Sequence, residues 1–250
     1  MDAARELLLL QICDSVFPIG AYSHSYGLET YIQLGIVHDE ATAWEFVEHQ
    51  IRYPLAYTEL LGMRLAYEAA RAGDLGRIAD EEALMAAAKV PAETRMASQK
   101  MAARFCKTAA GFLDGPARDL FSRYVHGDPL CTRPRRDHDP SGDGYKGDHA
   151  RAHMVNAAYG VFAALAGIDE AELLRRYLYS QVSAMVTNCV KTVPLSQTAG
   201  QRLLFRSAPL QVEAVDVALR ATPDLLGLSM PGFDVRCIEH ETLYSRLYMS

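Results

Sequence analysis

The chain lacks most of what a sheet or a catalyst would need. No stretch of its 250 residues alternates apolar and polar side chains for long between turn signals, and its turn dipeptides are not flanked by β-branched runs, so strands are not expected. There is no G-x-x-x-x-G-K-[ST], which excludes a P-loop cradle for a triphosphate. The early glycines in "PIGAYSHSYG" neither follow a predicted strand nor match G-x-G-x-x-G, which argues against a dinucleotide site. The five cysteines are odd in number, far apart and without a C-x-x-C pair, so reduced thiols are expected and not a disulfide framework. The oily run near the start, Leu7 to Leu10, follows Asp2 and Glu6 and meets Gln11 and Asp14. It has no positive flank, no cleavage site and too little length to cross a bilayer, so neither signal peptide nor membrane span is expected. Acids and bases are interspersed to a net charge of −6, which points away from nucleic acid and anionic membrane as main partners. A cytoplasmic protein with soluble partners is the expectation.

What is present is helical period, and half of the residues are hydrophobic, ample for one core. Val155, Tyr159, Phe162 and Ala166 fall on one helical face, as do Leu174, Leu178, Met185 and Cys189. Caps and breakers place helices near 3–16, 24–34, 40–71 with a break at Pro54, 75–89, 92–113, 116–126, 152–167, 169–191, 195–206 and 209–221. The fold class is therefore all-α, a single helical bundle of roughly ten helices. Between His126 and Asp148 the chain is rich in Pro, Gly and charge without apolar period, and reads as a long polar loop. On the 169–191 helix a second stripe of Tyr179, Val182, Val186 and Val190 widens the apolar face. Such a helix is either central to the domain or shared with a subunit interface, and Arg175 and Tyr179 stand at i,i+4 on the rim of that stripe.

Two stretches invite a chemical reading. Ser23-His24-Ser25 suggests a hydrolase, but neighbours on a chain rarely place a hydroxyl on an imidazole productively, and no G-x-S-x-G elbow surrounds them. A structural or docking loop is expected instead, with a serine capping the second helix and His24 in its first turn. His149 and His153, at i,i+4, are weak candidates for a metal site, with His126, Cys131 and His138 upstream; Cys237 and His240 form another half-site. Neither reaches the ligand set of a structural metal site, so the expectation is no metal and no cofactor.

Five stretches in order, "LLLLQICDSVFPIGAYSHSYGLE", "ETRMASQKM", "AAYGVFAALAGI", "YLYSQVSAMVTNCVKTVPLSQTAGQRLL" and "HETLYSRLYMS", resemble the urease accessory protein UreF family, its Helicobacter-type branch most. The likeness runs over nearly the whole chain. It departs at Val155, where a histidine is common, and at Ser196 and Ala102, where glycine is common. The resemblance implies an all-helical, non-enzymatic homodimer that binds UreD (also called UreH), recruits the GTPase UreG and serves nickel insertion into apo-urease. It implies partner contacts at Tyr22, His24, Tyr244, Arg246, Leu247 and Tyr248, and a dimer interface at Arg175 and Tyr179. A helical domain over 1–232, with a polar insertion at 127–148, is then followed by a docking tail over 233–250 that orders against UreD. The alternative is a nickel-binding metallochaperone that uses the histidines of the loop.

Overall fold

The computed structural model describes residues 2–127 and 152–249, and every regular element among them is helical. At the centre lies α8 (Val155–Ala166), in which every residue from Val155 to Ala164 is buried. A helix apolar on all sides must be enclosed, and α8 is covered by α4 (Leu61–Arg71), α6 (Ala92–Ala109), α7 (Gly115–His126) and α9 (Glu170–Thr192). Gly160 sets the closest crossing: a Cβ there would stand 2.3 Å from the Met63 carbonyl oxygen, so only glycine lets α4 approach. Aromatic rings fill the other side. Phe105 stacks on Tyr159 at 4.0 Å between centroids and meets Phe162 edge-on at 5.6 Å. The Tyr159 hydroxyl donates to the Ile12 carbonyl at 2.7 Å, tying down the end of α1 (Ala3–Ile12).

Four expected boundaries are corrected. First, α1 ends at Ile12 and not near 16, because the Asp14 carboxylate accepts from the Val16 amide at 2.9 Å and turns the chain. Second, the helix expected over 24–34 is only α2 (Leu28–Gln33), preceded by a 3-10 turn at Ala21–Ser23. Tyr26 and Gly27 both have positive φ, 52° and 76°, so no helix can start before Leu28, and Gly27, not a serine, stands at its N-cap. Third, Pro54 does not break the helix that begins with α3 (Glu40–Gln50). The chain continues into α4 through a π-helical stretch, Ile51–Leu60, whose wider turns accommodate a residue without an N–H. Fourth, α10 (Gln197–Arg220) runs through Pro209 where two helices were expected. Pro209 and Phe205, four residues earlier, lie on the exposed face, where solvent satisfies the carbonyl that proline leaves unbonded.

Two departures from the family pattern have local explanations. Ser196 caps α10, accepting from the Ala199 amide at 3.0 Å. Ala102 is fully buried on the inner face of α6. The single tryptophan, Trp44 on α3, lies beneath the Arg206 guanidinium at 4.0 Å and joins α3 to α10.

The two ends of the polar insertion meet at one buried carboxylate on α5 (Leu75–Ala88). Glu82 accepts from the Tyr124 hydroxyl at 2.9 Å, from His153 Nδ1 at 2.9 Å and from the Met154 amide at 3.0 Å, while His153 Nε2 stands 3.3 Å from the Val125 carbonyl. Residues before and after the insertion are thereby held side by side. The last helix, α11 (Pro231–His240), packs on α2 and α6, so the boundary placed at 232/233 falls inside a helix.

Candidate functional site: the signature loop and the C-terminal segment

The loop 20–27 is built by three left-handed positions, Gly20, Tyr26 and Gly27. Gly20 (φ 82°) opens the 3-10 turn, and Gly27 lets α11 press close, since a Cβ there would stand 2.9 Å from Cys237 Sγ. Within the loop the Ser23 hydroxyl donates to the Gly20 carbonyl at 2.8 Å. His24 turns inward, its carbonyl accepting from the Asn188 side-chain amide at 3.0 Å, and burial pushes its imidazole pKa down. Both groups shape the loop. Tyr22 alone points out, at 77% exposure.

Against this loop lies the C-terminal segment. The expectation is an end that orders only on a partner; in the structure it is seated on its own domain, with a polar contact for nearly every residue from 240 on. His240 is fully buried, its Nδ1 2.9 Å from Glu93 and its Nε2 3.1 Å from Glu29. Glu241 accepts from the amides of Ala92 at 3.0 Å and Glu93 at 3.3 Å, the first turn of α6. That helix begins after Pro91, which has no side-chain oxygen to cap it, so a carboxylate from far along the chain meets its exposed amides and its positive end. The Arg246 guanidinium donates to Glu93 at 2.5 Å, and the Ser245 carbonyl accepts from Gln33 at 2.9 Å. The amides of Leu247 and Tyr248 donate to Glu29 at 2.7 and 3.0 Å, and the Met249 amide donates to the Ser23 carbonyl at 2.8 Å.

With the backbone so occupied, side chains are left outward. Tyr244 is fully exposed, Leu247 is 82% exposed and Met249 lies beside them in sequence and is exposed as well. Of the residues that the resemblance marks for partner contact, Tyr22, Tyr244 and Leu247 offer apolar surface. Arg246 is tied to Glu93, Tyr248 is half-buried and His24 faces inward.

On the other side of the loop a groove of about 760 Å³ runs along α9. Leu10, Val16, Tyr22 and Tyr179 line it and are all exposed. Its deeper wall carries the half-buried Tyr26 and the buried Tyr177, whose phenols are pushed up by desolvation, and the Glu59–Lys89 ion pair. The inner face of α9 is buried through Leu174, Leu178, Val182, Val186 and Cys189. Tyr179 belongs to the outer face, together with Arg175, which pairs with Glu172 at 2.7 Å. Tyr22 stands between the two surfaces and belongs to both.

The metal candidates separate. His149, His138 and Cys131 lie outside the described residues. His153 is buried on Glu82 and His240 is held between carboxylates, while the Cys237 thiol is pushed up by burial. No group of three or more His, Cys, Asp or Glu among the described residues is arranged to hold a metal ion. No described helix is long and apolar enough to cross a membrane.

The reading from sequence missed Glu29, Glu93 and Glu241, the acids that organise this site. A signal was available: Glu29 closes the first of the five matching stretches, Glu93 opens the second, and His240 and Glu241 open the last.

Comparison with known proteins gives one consistent result. A family model described as UreF matches residues 37–208. The chain is 33% identical over 242 residues to the urease accessory protein UreF of Actinobacillus pleuropneumoniae serotype 3 (strain JL03), covering 97% of each chain. It is 31% identical over 246 residues to that of Bacillus sp. (strain TB-90), covering 98% of this chain and 99% of the relative. To that of A. pleuropneumoniae serotype 5b (strain L20) it is 32% identical over 242 residues, 97% of each. The family model stops short of both the loop 20–27 and the C-terminal segment, whereas these relatives match over nearly the full length.

Proposed function

The chain belongs to the UreF family of urease accessory proteins, and from that premise we propose that it acts in urease maturation as a homodimeric scaffold. The family is one of accessory proteins and not of enzymes. In this reading the protein binds a UreD-type (UreH-type) partner, the pair recruits the GTPase UreG, and the assembly delivers nickel to apo-urease in the cytoplasm. The observation that carries it is the set of exposed large side chains Tyr22, Tyr244 and Leu247, on a loop and a segment that are joined by the Met249 amide on the Ser23 carbonyl and fixed by the amides of 247 and 248 on Glu29. Aromatic side chains on a rigid support suit a docking surface, since they bury large area and lose little freedom on binding. The groove along α9, with Tyr179 on its rim, is assigned to the second copy of the chain. Arg175 and Glu172 flank it with one charge of each sign, which a two-fold related copy can match.

Co-purification of the tagged protein with the UreD-type and UreG-type products of the same organism tests this. Retention of the UreD-type protein alone, and of UreG only when UreD is present, is the expected result; retention of neither overturns the scaffold reading. Equilibrium dialysis with Ni²⁺ addresses the alternative. Tight, stoichiometric binding by the isolated protein, lost when His138 and His149 are replaced by alanine, would make it a metallochaperone.

A further inference from the structure

We infer that Glu29 is the positioning residue of the docking surface, the group that sets which side chains of the last residues face a partner. The inference rests on the proposed role of that surface. In an extended chain successive amides point to opposite sides, yet the amides of Leu247 and Tyr248 both reach the Glu29 carboxylate, one on each oxygen, at 2.7 and 3.0 Å. Two consecutive N–H groups converge on one anion only when the backbone curls around it. The curl turns Leu247 outward, 82% exposed, while Tyr248 lies half-buried.

Glu29 is itself only 6% exposed, so its charge requires strong partners. They are the two amides and His240 Nε2 at 3.1 Å. Both ring nitrogens of His240 face carboxylate oxygens, Nδ1 toward Glu93 and Nε2 toward Glu29, so the imidazole bridges the two acids. Arg246 donates to Glu93 from the other side, so each carboxylate has polar partners within the cluster. Gln33, Glu93 and the Ser23 carbonyl hold residues 245, 246 and 249 on either side, and the amides of 247 and 248 between them both bond Glu29, so the orientation of these two residues depends on this carboxylate.

The test uses the full-length protein, its dimer and the tagged UreD-type partner. Glu29→Gln keeps the shape but turns a donor toward one of the two amides. Hydrogen exchange of the C-terminal peptide is expected to quicken about tenfold or more, with exchange in α8 and the dimer unchanged, and partner affinity is expected to fall about tenfold. Removal of residues 247–250, which is compatible with folding because these residues lie outside the core, is expected to weaken the partner at least as much. Because Glu29 acts through those residues, adding Glu29→Gln to the truncation should weaken binding no further. Unchanged exchange in Glu29→Gln, or losses that multiply in the combined variant, would overturn the role of Glu29. Quickened exchange with undiminished partner binding would instead overturn the assignment of the surface to that partner.

Discussion

Glu82 and Glu29 do the same chemistry in two places, and the contrast separates architecture from function. Each is a buried glutamate that accepts from a histidine and from the backbone of a distant segment. Glu82 sits among rings: His153 lies 4.1 Å from Tyr124, which itself packs on Phe121, and the residues it fixes, Tyr124, His153 and Met154, are buried. Glu29 joins the buried His240 to the backbone of the final residues and leaves the Leu247 side chain in solvent, while Gln33 and Glu93 hold Ser245 and Arg246 beside it, next to the exposed Tyr244. One carboxylate closes the root of an insertion inside the core; the other holds up a surface. A buried carboxylate–histidine pair therefore says that two segments are held together, and only the exposure of what they carry says why.

The largest test of this contrast is Glu82→Ala. It leaves the Tyr124 hydroxyl, His153 and the Met154 amide without their buried acceptor, and a loss of about 3–5 kcal/mol in urea unfolding is expected. A cost no greater than that of Glu29→Ala, measured the same way, would erase the distinction.

Gly27→Ala comes next. Its φ of 76° and the 2.9 Å approach to Cys237 Sγ strain any Cβ, at a cost of about 1–2 kcal/mol, and the effect should concentrate at the tail end. Hydrogen exchange that quickens in α11 and the C-terminal peptide before it changes in α8 is the expected pattern; uniform quickening would mean that the loop and tail are one with the core.

Smaller again is the effect of excising the insertion. Since Glu82 closes its root, replacing 129–150 by a short Gly-Ser linker should change unfolding free energy by less than about 1 kcal/mol, the scale of loop-closure entropy for such a change. A larger loss would show that the insertion itself contributes to the core. Tyr179→Asp, away from both clusters, should leave the unfolding free energy of the chain within about 0.5 kcal/mol, as surface changes do, yet abolish the dimer in light scattering. A persisting dimer would move the interface off this face of α9.

Much of the bundle was legible because helical order is local. The period in 155–166 and in 170–192, the caps at Asp74 and Asp169 and the breaks near 72–74 and 167–169 all act within a few residues. The reading failed where a local signal was overridden. Pro54 and Pro209 are breakers by rule, but a π-helical stretch absorbed the first and an exposed helix face tolerated the second. In the site, Tyr22, Tyr244 and Leu247 were marked by the resemblance, and their side chains are exposed. Glu29, Glu93 and Glu241 were not singled out, because a glutamate beside a helix terminus reads as an ordinary solvated acid.

By itself the sequence determined the helical class, the position of the polar insertion and the family, since periodicity, composition and ordered motifs are properties of neighbours along the chain. Only the tertiary structure decided that His240 would lie between Glu29 and Glu93, that Glu241 would cap α6, and that Tyr22 would stand between a groove and a tail. Those outcomes follow from the need of every buried donor and acceptor for a partner. In this fold the partners come from opposite ends of the chain, and no local spacing encodes which acid will meet which amide.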